Sequence, residues 1–223
     1  MTMTREIDQE LSKAQVAVAL APYGIQPSDE QIGKIQAYVR LLLKWNRHMS
    51  LTAITNPVEI VGRHFGESMF AANEIPVENC RLADVGSGAG FPGLALKITR
   101  PGLHLSLIES SKKKCAFLSE VVRTLDLSSV EVLTTRFEDI RPEEGFADFV
   151  TARAVGGFSD LLQWSKPALT KRGHVLLWVG GEDVTRISNT EGWIWNPPTH
   201  IPESQRRFLL MGRCIGGAEK VAH

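Results

Sequence analysis

Residues 84–93 read Asp84-Val85-Gly86-Ser87-Gly88-Ala89-Gly90-Phe91-Pro92-Gly93. The run Arg81–Val85 before the glycines has strand character, and Leu94–Thr99 after them has helical character. Glycines in a strand–loop–helix turn let the backbone bend sharply and approach a ligand closely. Counted from Gly88 the spacing is GxGxxG, which by itself is a weak dinucleotide signature.

Two acids refine that reading. Asp84 sits two residues before the first glycine, where a pyrophosphate would meet the wrong sign of charge. S-adenosylmethionine has no pyrophosphate, and its amino and sulfonium groups are positive, so a nearby carboxylate favours it. The plain alternative is a structural glycine turn with a strand-end Asp. Glu109 follows the next strand, Leu103–Ile108, and stands 23 residues after Gly86. An acid there can accept hydrogen bonds from both ribose hydroxyls of an adenosine, which NAD and S-adenosylmethionine share.

Downstream of the loop the alternation continues. Helix Lys112–Leu125, strand Val130–Leu133, strand Ala147–Ala152, helix Leu161–Leu169 and strand His174–Val179 follow in turn. Strand alternating with helix predicts an α/β fold: a mostly parallel, Rossmann-like sheet with helices on both faces. After Gly181 comes a Trp- and Pro-rich loop, then a returning strand over 206–214. Upstream the chain reads as helical. A first helix is expected over 7–20, ending before Pro22. Ser28 caps a second through Ile32, Ile35, Val39, Leu42 and Trp45, and Asn56-Pro57 starts a third through Met69. The expected organisation is an N-terminal helical cap over 1–75 and a nucleotide-fold domain over 76–223.

The chain has 223 residues, with 25 Lys+Arg against 25 Asp+Glu and 43% hydrophobic residues. These values exclude collagenous, disordered and disulfide-scaffold chains. No apolar run approaches the roughly 18 residues of a membrane span, and the acidic first ten residues do not read as a secretory signal. Three scattered cysteines, Cys80, Cys115 and Cys214, point to reduced thiols in a cytoplasm and to no metal site. Zero net charge argues against indiscriminate coating of nucleic acid, although Lys112, Lys113 and Lys114 form a local basic run. That run reads equally as a solvated helix face or a phosphate track. His48 and His64 are expected to fix the cap against the core by hydrogen bonds.

The glycine motif with its trailing Phe-Pro-Gly, WNRHMSLTAI (Trp45 to Ile54), RHFGES (Arg63 to Ser68) and TARAV (Thr151 to Val155) together resemble the bacterial small-subunit ribosomal RNA guanine-N7 methyltransferase family, also called glucose-inhibited division protein B. The resemblance runs from about residue 28 to residue 212. It implies an S-adenosylmethionine-dependent methyltransferase fold acting on N7 of a guanine in 16S ribosomal RNA, as free RNA or in a small-subunit assembly particle. It implies that Gly86 and Phe91 line the donor pocket with Asp84, Gly88 and Glu109, and that Phe137 and Glu138 flank the adenine. Arg153 corresponds to an arginine beside the methyl donor and is the expected catalytic residue. Arg206 matches an arginine of the C-terminal strand; with Lys112, Lys113, Lys114 and Arg136 it is the expected RNA contact. A cytoplasmic monomer is expected.

One position departs from the family pattern. A lysine usually precedes the glycine after the fifth strand, and here that position is Val179. A cation expected near substrate or donor is missing. Two readings outside the methyltransferase class stay open: a nicotinamide-dependent oxidoreductase, favoured only by the GxGxxG spacing, and a noncatalytic RNA-binding or assembly protein that kept the pocket but lost turnover through the change at Val179.

Overall fold

A computed structural model describes residues 11–76, 79–143, 145–153 and 157–215. Helix α1 (Lys13–Leu20) and α2 (Asp29–Asn46) each begin with a serine capping box. The Ser12 and Ser28 hydroxyls accept from the backbone N–H of Gln15 and Gln31, whose side chains accept back from the cap N–H. The start of the expected first helix, residues 7–10, lies outside the described residues. Asn56 caps α3 (Pro57–Ile60), which continues through a π-helical turn (Val61–Gly66) into α4 (Glu67–Met69).

The rest alternates as the pattern predicts: β1 (Arg81–Val85), α5 (Gly93–Thr99), β2 (His104–Glu109), α6 (Lys112–Thr124), β3 (Val130–Thr134), β4 (Ala147–Arg153), α7 (Phe158–Ala168) and β5 (Leu169–Gly180). The segment read as a Trp- and Pro-rich loop carries more structure than expected. It holds α8 (Gly181–Ser188), β6 (Trp193–Trp195) and β7 (Thr199–His200) before β8 (Arg207–Cys214). Helix α8 has only eight residues, and its apolar face is Val184 and Ile187 alone, too short a repeat to be legible in sequence.

The sheet order is β3-β2-β1-β4-β5-β8-β6, with β7 also on β8. The first five strands are parallel, and β8 returns antiparallel to β5. Strand order reverses between β1 and β4, which opens a crevice at their carboxyl ends where such sheets bind ligands. Registers Val85↔Ile108 and Val85↔Ala152 set Gly86, Glu109 and Arg153 at one level of that edge.

Both faces are covered, as a parallel sheet requires. One apolar cluster joins Leu82, Leu105, Phe149, Leu176 and Trp178 to α5, α6 and the N-terminal helices through Ile35, Tyr38, Leu42 and Phe65. The opposite cluster joins Val85, Val150, Ala152, Val175, Leu177 and Val179 to α7 and α8. No helix among the described residues is long and apolar enough to cross a membrane.

Candidate active site

The glycine loop is a strained turn that only glycine adopts freely: Gly86, Gly88 and Gly90 have φ of 69°, 57° and 85°. Two acids hold it. Asp84 is fully buried beneath it, where Oδ2 accepts from the Gly93 N–H (3.2 Å) and Oδ1 from the Thr151 hydroxyl (2.8 Å). Burial pushes the Asp84 carboxyl up to about 7, against the pull of its hydrogen bonds. Asp84 thus acts on a ligand through the loop it braces, and its oxygens are not open to a contact. A Cβ at Gly93 would fall 2.8 Å from Asp84 Oδ2, so this approach also requires glycine. Glu109 Oε2 accepts from the Gly88 N–H at 3.0 Å, and Oε1 from the Ser111 N–H at 2.8 Å. A carboxylate offers about four acceptor sites, so Glu109 keeps capacity for two ribose hydroxyls.

Above these strand ends lies a cleft of about 330 Å³ lined by Gly86, Glu109, Lys114, Arg136, Phe137 and Glu138. The residues implied for ribose and adenine therefore come together. Phe137 is braced edge-on by Trp164 at 5.8 Å, leaving an aromatic wall beside the acid. Acid, aromatic wall and glycine backbone together fit an adenosine. Lys114 and Arg136, expected to touch RNA, line this cleft, whereas Lys112 and Lys113 are exposed on the first turn of α6.

Phe91 is not in that lining. It stacks on Tyr38 (5.3 Å, 10° between planes) and on His64 (5.0 Å), with Phe65 edge-on. Its ring therefore anchors the loop to the helical part. His64 bonds the Thr52 hydroxyl at 2.7 Å, and burial lowers its imidazole to about 4. His64 thus meets the glycine loop through its stack on Phe91, whereas its hydrogen bond, expected to tie the cap to the core, stays within the helical part. His48 is exposed, and its backbone N–H alone bonds Trp45.

Arg153 lies at the end of β4 on a residue that sequence reading left without a role. Glu67 has no solvent exposure, and its carboxylate takes three arginines: Arg153 Nη2 at 3.1 Å, Arg63 Nε at 3.0 Å and Arg207 Nη1 at 2.6 Å. Arg153 Nη2 also donates to the Arg63 carbonyl at 3.2 Å. The neighbouring Arg206, expected as an RNA contact, is exposed and contributes its carbonyl to the Gly181 N–H. Register explains why Arg207 and not Arg206 reaches Glu67. Gly180 pairs with Arg207 and Trp178 with Leu209, so Arg207 faces the side of Trp178 and Arg153, and Arg206 does not. The RHFGES segment did carry a signal, since Arg63 and Glu67 stand at i,i+4. Of the TARAV segment, Ala154 and Val155 lie outside the described residues.

Alternation also settles Val179. It packs at 3% exposure in the cluster against α7 and α8, on the face opposite Trp178 and Arg153. The departure from the family pattern therefore removes no group from the face that bears Arg153. Among the described residues no cluster of acids, histidines and cysteines could hold a metal.

A mostly parallel sheet with this order, loop and cleft, its last strands antiparallel, is the fold of S-adenosylmethionine-dependent methyltransferases. Such a methyltransferase from Aquifex aeolicus superposes with a TM-score of 0.56 at 17% identity, covering 70% of this chain and 93% of that one. TYW2 of M. jannaschii, solved with AdoMet, gives 0.51 at 16% identity, covering 66% and 74%. In sequence, a family model described as rRNA small subunit methyltransferase G matches residues 31–193. The ribosomal RNA small subunit methyltransferase G of Roseiflexus castenholzii is 42% identical over 201 residues, covering 85% of this chain and 86% of its own. That of Moorella thermoacetica is 40% identical over 162 residues, covering 70% and 67%. The chain belongs to the small-subunit ribosomal RNA methyltransferase G family, which sets the oxidoreductase reading aside.

Proposed function

We propose that this methyltransferase uses S-adenosylmethionine to methylate N7 of a guanine in 16S ribosomal RNA, free or within a small-subunit assembly particle. The observation that carries the reading is Arg153, held rigidly at the level of Gly86 and Glu109 at the strand-order reversal. Glu109 would hold the ribose, Phe137 and Glu138 the adenine, and Gly86 and Gly88 would give the backbone room at the donor. When bound, the donor supplies an electrophilic methyl group to the exposed N7 lone pair, with no proton to remove first.

The chain's task is then alignment and exclusion of water rather than acid–base chemistry. His64, locked between Thr52 and Phe91, fits a positioning role better than that of a base. A donor bonded to N7 would block the nucleophile, so Arg153 belongs at O6 or a phosphate. Lys112 and Lys113 would contact the RNA backbone beside the cleft. The testing experiment is methyl transfer from labelled donor to small-subunit ribosomal RNA, with the modified base mapped. Label at guanine N7 is the expected result. Donor binding without transfer would favour the noncatalytic assembly reading.

A further inference from the structure

We propose that Arg63, Arg153 and Arg207, gathered on Glu67, form an oxyanion socket that takes a backbone phosphate of the RNA, with Glu67 as its positioning residue. The socket rests on the RNA reading above and adds to it a site, a ligand class and a residue role.

Charge is the first argument. One carboxylate meets three guanidinium groups, which leaves two positive charges in excess within the cluster. A single arginine would neutralise Glu67. Gathering three costs desolvation and mutual repulsion, and a bound anion offsets both. Burial pulls Arg153 down from the usual arginine range, and Arg63 pushes the same way. Hydrogen bonding is the second. Arg153 Nη1 is buried and has no hydrogen-bond partner among the described residues. A buried unpaired donor is costly, and an oxyanion satisfies it.

Placement is the third argument. The three arginines come from the π-helical turn, the end of β4 and the start of β8, so only the folded chain brings them together. Arg63 and Arg207 keep 36% and 32% side-chain exposure and Arg153 keeps 16%, so the cluster opens to solvent chiefly through Arg63 and Arg207. It sits one strand from the glycine loop, on the same edge of the sheet. The planar guanidinium fork matches phosphate oxygens two at a time. The donor's carboxylate is the other oxyanion within the same chemistry. The arginines are absent from the lining of the adenosine cleft, which favours the phosphate.

The test compares the parent with Arg207→Gln, Arg63→Gln, Glu67→Gln and Arg207→Lys. Affinity for small-subunit ribosomal RNA is measured across salt, donor affinity by calorimetry, kcat and KM by methyl transfer, and folding by melting. Arg207→Gln and Arg63→Gln should each weaken RNA about ten-fold and lower the salt slope by about one unit, with donor affinity unchanged. Arg207→Lys should restore the slope but not the full affinity, because an ammonium lacks the fork. Glu67→Gln, where it folds, should lower kcat more than RNA affinity, since the arginines stay but lose their placement. An unchanged salt slope in both folded glutamine variants overturns the socket while leaving the function intact. Weakened donor binding with RNA binding intact assigns the cluster to the donor carboxylate and overturns it as well. A parent that binds donor but no RNA overturns the functional reading, and the socket with it.

Discussion

The Tyr38 hydroxyl donates a 2.6 Å hydrogen bond to the Ala89 carbonyl, so helix α2 grips the glycine loop from 51 residues upstream. The loop is built around that contact, because a Cβ on Gly90 would overlap the Tyr38 hydroxyl. The N-terminal helices therefore bear directly on the donor loop.

Replacing Tyr38 by Phe keeps the stack on Phe91 and removes only the hydrogen bond. Leaving the Ala89 carbonyl unpaired should cost about 1–2 kcal/mol, felt in donor affinity as well as in melting. Isothermal titration with S-adenosylmethionine checks it. Unaltered donor affinity beside a lowered melting point would mean that the contact serves the fold alone.

Gly88→Val should abolish donor binding while the domain stays folded. Nothing but the Gly86 carbonyl, 3.7 Å away, meets a Cβ at Gly88, but its φ of 57° excludes a β-branched residue, so the loop must change shape. Glu109→Ala should weaken donor binding by about 1–3 kcal/mol through lost charge-assisted bonds and the freed N–H groups of Gly88 and Ser111. Circular dichroism on both variants separates binding from unfolding.

Arg153→Ala should keep donor affinity near that of the parent and slow single-turnover methylation by roughly 100-fold, because alignment is lost. Val179→Lys should not raise turnover, since position 179 faces away from Arg153. It should destabilise the protein by about 3 kcal/mol, an ammonium being forced among Val175, Leu177 and Ile187. A faster Val179→Lys enzyme would show that the lysine reaches around the strand end.

Two buried groups give opposite pH dependences of stability. The Asp84 carboxyl is raised to about 7, so the fold binds its proton more tightly than the unfolded chain does. Its contribution is complete below about pH 4 and is lost as pH rises towards 7. His64 is lowered to about 4, so its contribution is present above pH 6.5 and is lost as pH falls to 4. Between pH 4 and 6.5 the two slopes oppose. Asp84→Asn should leave a protein whose melting point climbs with pH across that window, and His64→Gln one whose melting point falls. Parallel melting curves for parent and variants would refute both assignments.

Charge on α6 divides by position. Lys112→Gln with Lys113→Gln should reduce the salt slope of RNA binding by about two units with donor affinity unchanged. Lys114→Gln should alter donor affinity, since Lys114 lines the cleft with Glu109. Equal behaviour of all three lysines would place the RNA over the cleft mouth.

The sequence by itself determined the strand–helix alternation, the caps at Ser28 and Asn56, and the glycine loop and Glu109 as successive strand-end features on one edge of the sheet. These depend on local pattern and on short, fixed spacings. Residues 181–200 stayed opaque because α8, β6 and β7 are short and draw their order from β8 and the underlying core. That Arg207 rather than Arg206 reaches Glu67, and that Val179 faces away from Arg153, rests on a sheet register that no local signal carries, because one step along a strand turns a side chain to the other face. Only the tertiary structure set Glu67 among three arginines and Asp84 beneath its loop, since a carboxylate's role depends on which partners the folded chain brings to it and how far it is removed from water.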